Sequence, residues 1–276
     1  MNGKGLAEDG TIAREGSLDR VPETFAPVVA DARSRIAEAF GSERLHSAYL
    51  YGSVPRGSAV PGRSDLDLLL ALRGEPTDAD RGDAVGVAAA LDTDHPAIDT
   101  AGILMVRART ALSELERHDL GFFVACLCTP LLGPDLASVL PRYRPTSLLA
   151  RETNGDLALA LPRWRASATA TATATAEDLA DADRTRLCRR VARRLVRTGF
   201  TLVMPRWGGW TSDLEESAEV FGRYYPGRAA RMRTAAAAAA RTASPDPGLL
   251  RLFLDDLGPW LAAEYTAVHG KKAPRP

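Results

Sequence analysis

Residues 64 to 72 read SDLDLLLAL, two aspartates one residue apart at the head of an apolar run. Successive side chains on a strand alternate faces, so Asp65 and Asp67 point the same way while Leu66, Leu68 and Leu70 carry the strand onward. The two carboxylates then lie roughly 6 to 7 Å apart along one face. Anions that close repel unless a cation lies between them. Mg²⁺ answers this chemistry, because it takes oxygen ligands and is usually held by one or two carboxylates together with substrate phosphates. The simpler alternative is a strand end whose aspartates are only solvated.

The residues just upstream bear on that choice. HSAYLY, residues 46 to 51, reads as a short strand with Ala48 and Leu50 on one face, and the chain turns at Gly52-Ser53. A glycine allows close approach of a phosphate to the backbone, and a serine adds a hydroxyl donor. A helix starting there would aim its unbonded N–H groups at an anion. Arg56 and Arg63 put positive charge in the connecting loop, and Pro55, Pro61 and Gly62 favour an extended return to the second strand. A side chain placed at Gly52 is expected to weaken nucleotide binding with little loss of fold.

Phosphate seat, basic loop and paired carboxylates within one stretch resemble the nucleotidyltransferase superfamily related to DNA polymerase β. Its pattern is G-S, a loop containing R-G, then S-D-x-D followed by apolar residues. The matching positions are Gly52, Ser53, Arg56, Gly57, Ser64, Asp65 and Asp67. The resemblance implies Asp65 and Asp67 as ligands of Mg²⁺, two ions being expected. It implies Gly52, Ser53, Arg56 and Ser64 as nucleotide-binding residues, with ATP as co-substrate. Members of the superfamily also carry a third carboxylate on a later strand. The β-rich run HPAIDTAGILMV, residues 95 to 106, has Asp99 as its one acid, expected there as metal ligand, general base or both. Asp92 and Asp94 are rivals, but LDTDHP reads as a turn ahead of that strand.

Length allows two modest domains in 276 residues, with 45% hydrophobic composition to pack them. Thirty-five basic and 35 acidic residues cancel, so nucleic acid could be held only by a local patch. Cys126, Cys128 and Cys188 make a poor zinc set and read as reduced, buried thiols. No stretch reads as a membrane span and the N-terminus lacks the apolar core of a signal peptide, so a cytoplasmic protein is expected. Residues 1–20 are polar and Gly-rich, an expected disordered segment. Residues 21–140 form the expected catalytic domain. In it, a helix carries Phe25, Val28, Val29, Ala32, Ile36 and Phe40 and ends near Gly41. A second helix follows the first strand pair over about 80 to 91, and a third, interrupted near His118 to Gly121, is expected over 109 to 128.

From residue 141 the texture becomes helical, and 141–276 is the expected acceptor-binding domain. The run ATATATATA, 168 to 176, reads as a weak helix or connector, 183 to 204 as a firm helix, and the alanines 235 to 240 as helix. Residues 246 to 270 read as one helix or a pair broken at Gly258-Pro259. A helical bundle behind a small catalytic domain is similar in architecture to the streptomycin and spectinomycin type of aminoglycoside adenylyltransferase. Residues 193 to 232 resemble that type's helix, Thr-Gly turn, helix and Tyr-Pro. Trp207 and Trp210 read as loop anchors or stacking surfaces, Glu215, Glu216 and Glu219 as a helix's surface acids or a cation site. The class expected is α+β, a small mixed sheet with flanking helices followed by an all-α bundle. The expected activity is metal-dependent transfer of AMP from ATP to a hydroxyl of a small molecule such as an aminoglycoside, releasing pyrophosphate. The alternatives are a toxin-like enzyme modifying tRNA or protein, and an idle nucleotide-binding module.

Overall fold

The structure, a computed structural model, describes residues 4–172, 177–240 and 246–275. It comprises two compact units, Ile12–Tyr143 and a second made of Met1–Thr11 with Arg144–Pro276.

In the first unit α1 (Ala26–Arg44) leads into β1 (Leu45–Tyr51), and the one-turn α2 (Ser53–Arg56) precedes β2 (Leu66–Leu72). Then come α3 (Asp78–Asp94), β3 (Ala101–Arg107), the short α4 (Ala108–Ala111) and α5 (Leu120–Phe122), and β4 (Cys128–Leu132). The sheet order is β3-β2-β1-β4. β1 runs antiparallel to β2 and β4, whereas β2 and β3 are parallel, so the sheet is mixed. α3 supplies the crossover that a parallel pair requires.

The run of leucines in β2 is explained by burial on both sides. Leu66, Leu68, Leu70 and Leu72 pack with Ala48 and Leu50 beneath Val28, Ala32, Ile36, Val87 and Leu91 of α1 and α3. Leu69 and Ala71 face the other way, into a second cluster with Tyr49, Ala108, Ala111, Val124 and Cys128. The α1 stripe buries the expected residues, and at Gly41 the backbone leaves helical geometry with φ +59°. α3 opens on a capping box: Thr77 Oγ1 accepts from the Asp80 N–H at 3.2 Å, and the Asp80 carboxylate accepts from the Thr77 N–H at 2.9 Å. Arg44 Nη1 lies 2.8 Å from Asp80. The hydrogen bonds from Thr77 hold the Asp80 carboxyl below its ordinary range. The interrupted helix expected over 109 to 128 is the short α4 and α5, separated over residues 112 to 119, and a π-type turn at Phe123–Leu127, after which Cys128 turns extended and enters the sheet.

The first 20 residues correct the expectation of disorder wherever they are described. Leu6, Thr11 and Ile12 are buried. The Ile12 N–H donates to Tyr143 O at 2.7 Å, Glu15 N–H to Cys126 O at 2.9 Å and Ser17 N–H to Pro55 O at 3.0 Å. Polar composition hid a segment whose backbone is satisfied by tertiary partners.

The second unit is helical throughout: α6 (Ser147–Asn154), α7 (Leu157–Ala172), α8 (Glu177–Trp207), α9 (Leu214–Tyr224), α10 (Ala229–Ala240), α11 (Pro247–Arg251) and α12 (Gly258–His269). α8 is central, burying Val191, Leu195, Val196, Phe200 and Val203. The expected Thr-Gly turn is not one, because Thr198 and Gly199 lie inside α8. A Cβ at Gly199 would overlap the Met232 side chain, so glycine there serves close packing of α8 on α10. The threonine-alanine run is helical to Ala172, and its remainder, 173–176, lies outside the described residues. Gly258 keeps helical dihedrals of −63° and −53°, and a π-type turn at Leu252–Leu257 accommodates Pro259 with no break. A buried polar knot ties three helices: Asn154 Nδ2 donates to Thr201 Oγ1 at 3.1 Å, and the Tyr265 hydroxyl donates to the same oxygen at 3.0 Å. Among the described residues no helix is long and apolar enough to cross a membrane.

Candidate active site

β1 ends at Tyr51, opposite Asp67 in the antiparallel register, and the chain turns at once through Gly52. Gly52 has φ +82° and ψ −148°, a backbone region open essentially to glycine alone. The turn is tight because it passes over the second aspartate. A Cβ on Gly52 would fall against Asp67 Oδ2 and 3.3 Å from Asp67 Cγ. Gly52 is therefore the backbone half of a contact whose other half is a carboxylate. Ser53 opens α2 directly behind it.

The N-terminal segment braces this turn. Arg20 Nη2 donates to Arg56 O at 2.7 Å, and Arg20 Nη1 to Glu15 O at 2.7 Å. Arg56 Nε donates to Gly52 O at 3.0 Å, and its Nη1 lies 3.8 Å from Glu15 Oε2. Arg56, expected to contact nucleotide, is thus engaged with the turn it follows. Ser64 is also engaged, its hydroxyl oxygen accepting from the Val60 N–H at 2.9 Å to close the loop. Glu15 was missed by sequence reading, and nothing in a segment of that composition marks it.

Asp65 stands immediately before β2 and Asp67 is its second residue; both are half-buried. They share the face of Tyr49, Leu69 and Ala71, at the end of the second apolar cluster. Burial pushes the Tyr49 phenol up from its ordinary range, leaving a neutral hydroxyl that accepts from the Leu136 N–H at 2.8 Å. The same cause pushes the Cys126 thiol up to about 12, and Cys126, Cys128 and Cys188 are free and buried, as the sequence reading has them.

Asp99 is placed differently from the expectation. It is exposed and lies in the bend before β3, which begins at Ala101. Its N–H donates to Ser64 O at 3.1 Å, so its backbone is level with Ser64, while the β3 residue level with Asp67 is Gly102. Three residues of strand separate those levels, about 10 Å. The late start has a cause: Asp92, at the end of α3, accepts from the Ala101 N–H at 2.6 Å and from Thr100 Oγ1 at 3.2 Å, pinning the strand entrance. The structure brings Gly52, Ser53, Asp65 and Asp67 together. Among the described residues no three histidine, cysteine, aspartate or glutamate side chains gather into a metal site.

Trp207 and Trp210 are buried, each edge-on to Phe200 at 5.7 Å, and Lys4 Nζ donates to Trp207 O at 2.8 Å. They anchor the end of α8 and offer no stacking platform. Glu215, Glu216 and Glu219 are exposed on α9, with Asp213 capping its first turn through the Glu216 N–H at 2.8 Å.

A mixed four-stranded sheet in the order β3-β2-β1-β4, packed on both faces and accompanied by a helical unit, is consistent with the nucleotidyltransferase fold. Among solved structures, that of spectinomycin adenyltransferase AAD(9) from Enterococcus faecialis, determined with ATP and spectinomycin, is similar with a TM-score of 0.52. The match covers 85% of this chain and 98% of that chain at 13% identity, and it establishes the fold. No known protein-family profile matches this chain, and no curated protein matches it in sequence.

Proposed function

We propose that the chain is a metal-dependent nucleotidyltransferase that moves AMP from ATP to a hydroxyl of a small molecule. The observation that carries the reading is the Gly52 turn set against the Asp67 carboxylate, with Ser53 behind it and Asp65 two residues away. A phosphate that approaches the bare Gly52 backbone is by that fact beside two carboxylates. The donor set suits Mg²⁺: two half-buried aspartates, oxygen ligands only, with room left for substrate phosphates. When bound, the ion offsets the charge of the phosphates and stabilises the departing pyrophosphate.

The chain's own residues do the rest. Asp65 and Asp67 hold the ion, and Gly52 with Ser53 seats the β- and γ-phosphates. Asp99 takes the proton of the acceptor hydroxyl as that oxygen attacks the α-phosphorus, forming the new P–O bond while the bond to pyrophosphate breaks. Asp99, in the bend before β3 and about 10 Å along the strand direction from the level of Asp67, is assigned the proton and not the metal. The architecture shared with an adenyltransferase solved with ATP and spectinomycin supports a small polycyclic or aminoglycoside-like acceptor, held by the helical unit. Incubation with labelled NTPs and Mg²⁺ against a panel of such antibiotics, followed by mass analysis, tests this. An acceptor heavier by one AMP is the expected product; ATP turnover with no adduct on any panel member would remove the small-molecule assignment.

A further inference from the structure

Helices α7 and α8 of the helical unit enclose a groove of about 560 Å³ that the catalytic reading leaves unused. Along α8 it is lined by Arg186, Arg189, Arg190, Arg193, Arg194 and Arg197. Their spacing of three and four residues holds them on one stripe, and 11 residues of helix make that stripe about 16 Å long. From α7 the groove receives Arg163 and the ring of Trp164. Its one acid, Asp156, is engaged by Arg194. Seven of the 35 basic residues of a chain with zero formal net charge thus line a single groove.

Arg194 is paired with Asp156 and Arg186 with Asp183, while Arg163, Arg189 and Arg190 form no ion pair among the described residues, and like charges gathered this closely cost free energy unless an anion answers them. Two guanidinium nitrogens point to that anion. Arg189 Nε and Arg194 Nε are buried, and no hydrogen-bond acceptor for either is present among the described residues. A buried donor without an acceptor is costly, and both belong to side chains that line the groove, so an anion paired with those guanidinium groups would offset that cost. A groove that joins a row of arginines to an aromatic ring fits a phosphate chain carrying planar bases. The length decides between short and long chains: 16 Å spans about five phosphates at the roughly 3.4 Å axial spacing of a stacked strand.

We infer that this groove binds the backbone of a single-stranded nucleic acid, with one base stacked on Trp164. The site lies wholly within the helical unit and is independent of the proposed nucleotidyl transfer.

The test is fluorescence anisotropy with a labelled 12-nucleotide single-stranded RNA, without NTP or metal, over a series of salt concentrations. Four to six phosphate contacts give a slope of log K against log salt of about −3 to −4. Arg163→Ala with Arg190→Ala removes two exposed groups and should shallow the slope by about 1.4. Trp164→Leu should weaken binding roughly 5- to 100-fold with the slope unchanged. Arg33→Ala with Arg223→Ala, exposed arginines elsewhere, serves as control and should change nothing. Thermal melting of each variant confirms that it is folded. The inference is overturned if the wild-type protein fails to bind at 50 mM salt, or if the groove variants bind like the control. It is equally overturned if inorganic tripolyphosphate at equal phosphate displaces the strand fully while Trp164→Leu has no effect, which would make the groove a plain polyanion patch.

Discussion

Gly52→Ala tests the contact on which the proposed site is built, and it does so without substrate. At φ +82° and ψ −148° an alanine sits in a region that costs about 1 to 3 kcal/mol for residues with a Cβ. The added methyl must also displace the Asp67 carboxylate, whose Cγ would be 3.3 Å away. The strain alone predicts a melting temperature lower by roughly 2 to 12 °C, using about 2 to 4 °C per kcal/mol for a chain near this size. The displacement is isolated by a double-mutant cycle with Asp67→Ala, which removes the carboxylate but leaves the backbone strain. Denaturant unfolding of the four proteins, under metal-free conditions, should give a favourable coupling of about 0.5 to 3 kcal/mol, the double variant being more stable than the sum of the singles. Strict additivity would mean that the glycine is held for its dihedrals only and that the turn does not press on Asp67. An alanine variant as stable as the parent would refute the backbone geometry itself. The expectation from sequence, that a side chain here spares the fold, is thereby reversed.

Asp67→Asn keeps the shape while removing a charge, so metal-dependent NTP turnover should vanish while metal-free stability stays level or rises slightly; undiminished turnover would remove Asp67 from the site. Asp99→Asn should preserve ATP binding by calorimetry yet slow transfer by about 10² to 10⁴, the usual contribution of a positioned base; transfer at the parental rate would pass the role to another group. Asp80→Asn should lower stability by about 1 kcal/mol at neutral pH, through the capping box. Because the folded Asp80 carboxyl titrates below its ordinary range, its stabilisation is full above the unfolded carboxylate range and fades as pH falls through the folded value. Urea melts of parent and variant should therefore converge as pH falls below the ordinary carboxylate range, and a constant gap across pH would contradict the assignment.

How legible the site was depended on distance along the chain. Gly52, Ser53, Asp65 and Asp67 lie within 16 residues, and strand alternation with turn chemistry places them without knowledge of the tertiary fold. Asp99 falls before the strand expected to carry it because the start of β3 is set by a side chain from the preceding helix, Asp92, which local periodicity cannot register. Arg56 and Ser64 read as ligands because their type and spacing are right; only the folded loop shows what already occupies them. The helices were read well where an apolar stripe repeats, as in α1 and α8, and poorly at 109 to 128, where two short helices and a π-type turn leave no steady period. The described residues of the N-terminal segment carry too few apolar side chains to announce an ordered path.

That path has a consequence for the order of events on the ribosome. The sheet unit is one uninterrupted stretch, but the helical unit joins residues 4–11 to the described residues after 143. The sheet unit can close as soon as Tyr143 has emerged. Lys4 is made about 200 residues ahead of its partners and finds them only when α8 and the turn beyond it arrive, for its carbonyl accepts from the Trp210 N–H at 2.9 Å. At about 5 to 20 residues per second, the roughly 200 residues between them correspond to about 10 to 40 s during which the leading segment waits beside an already folded neighbour.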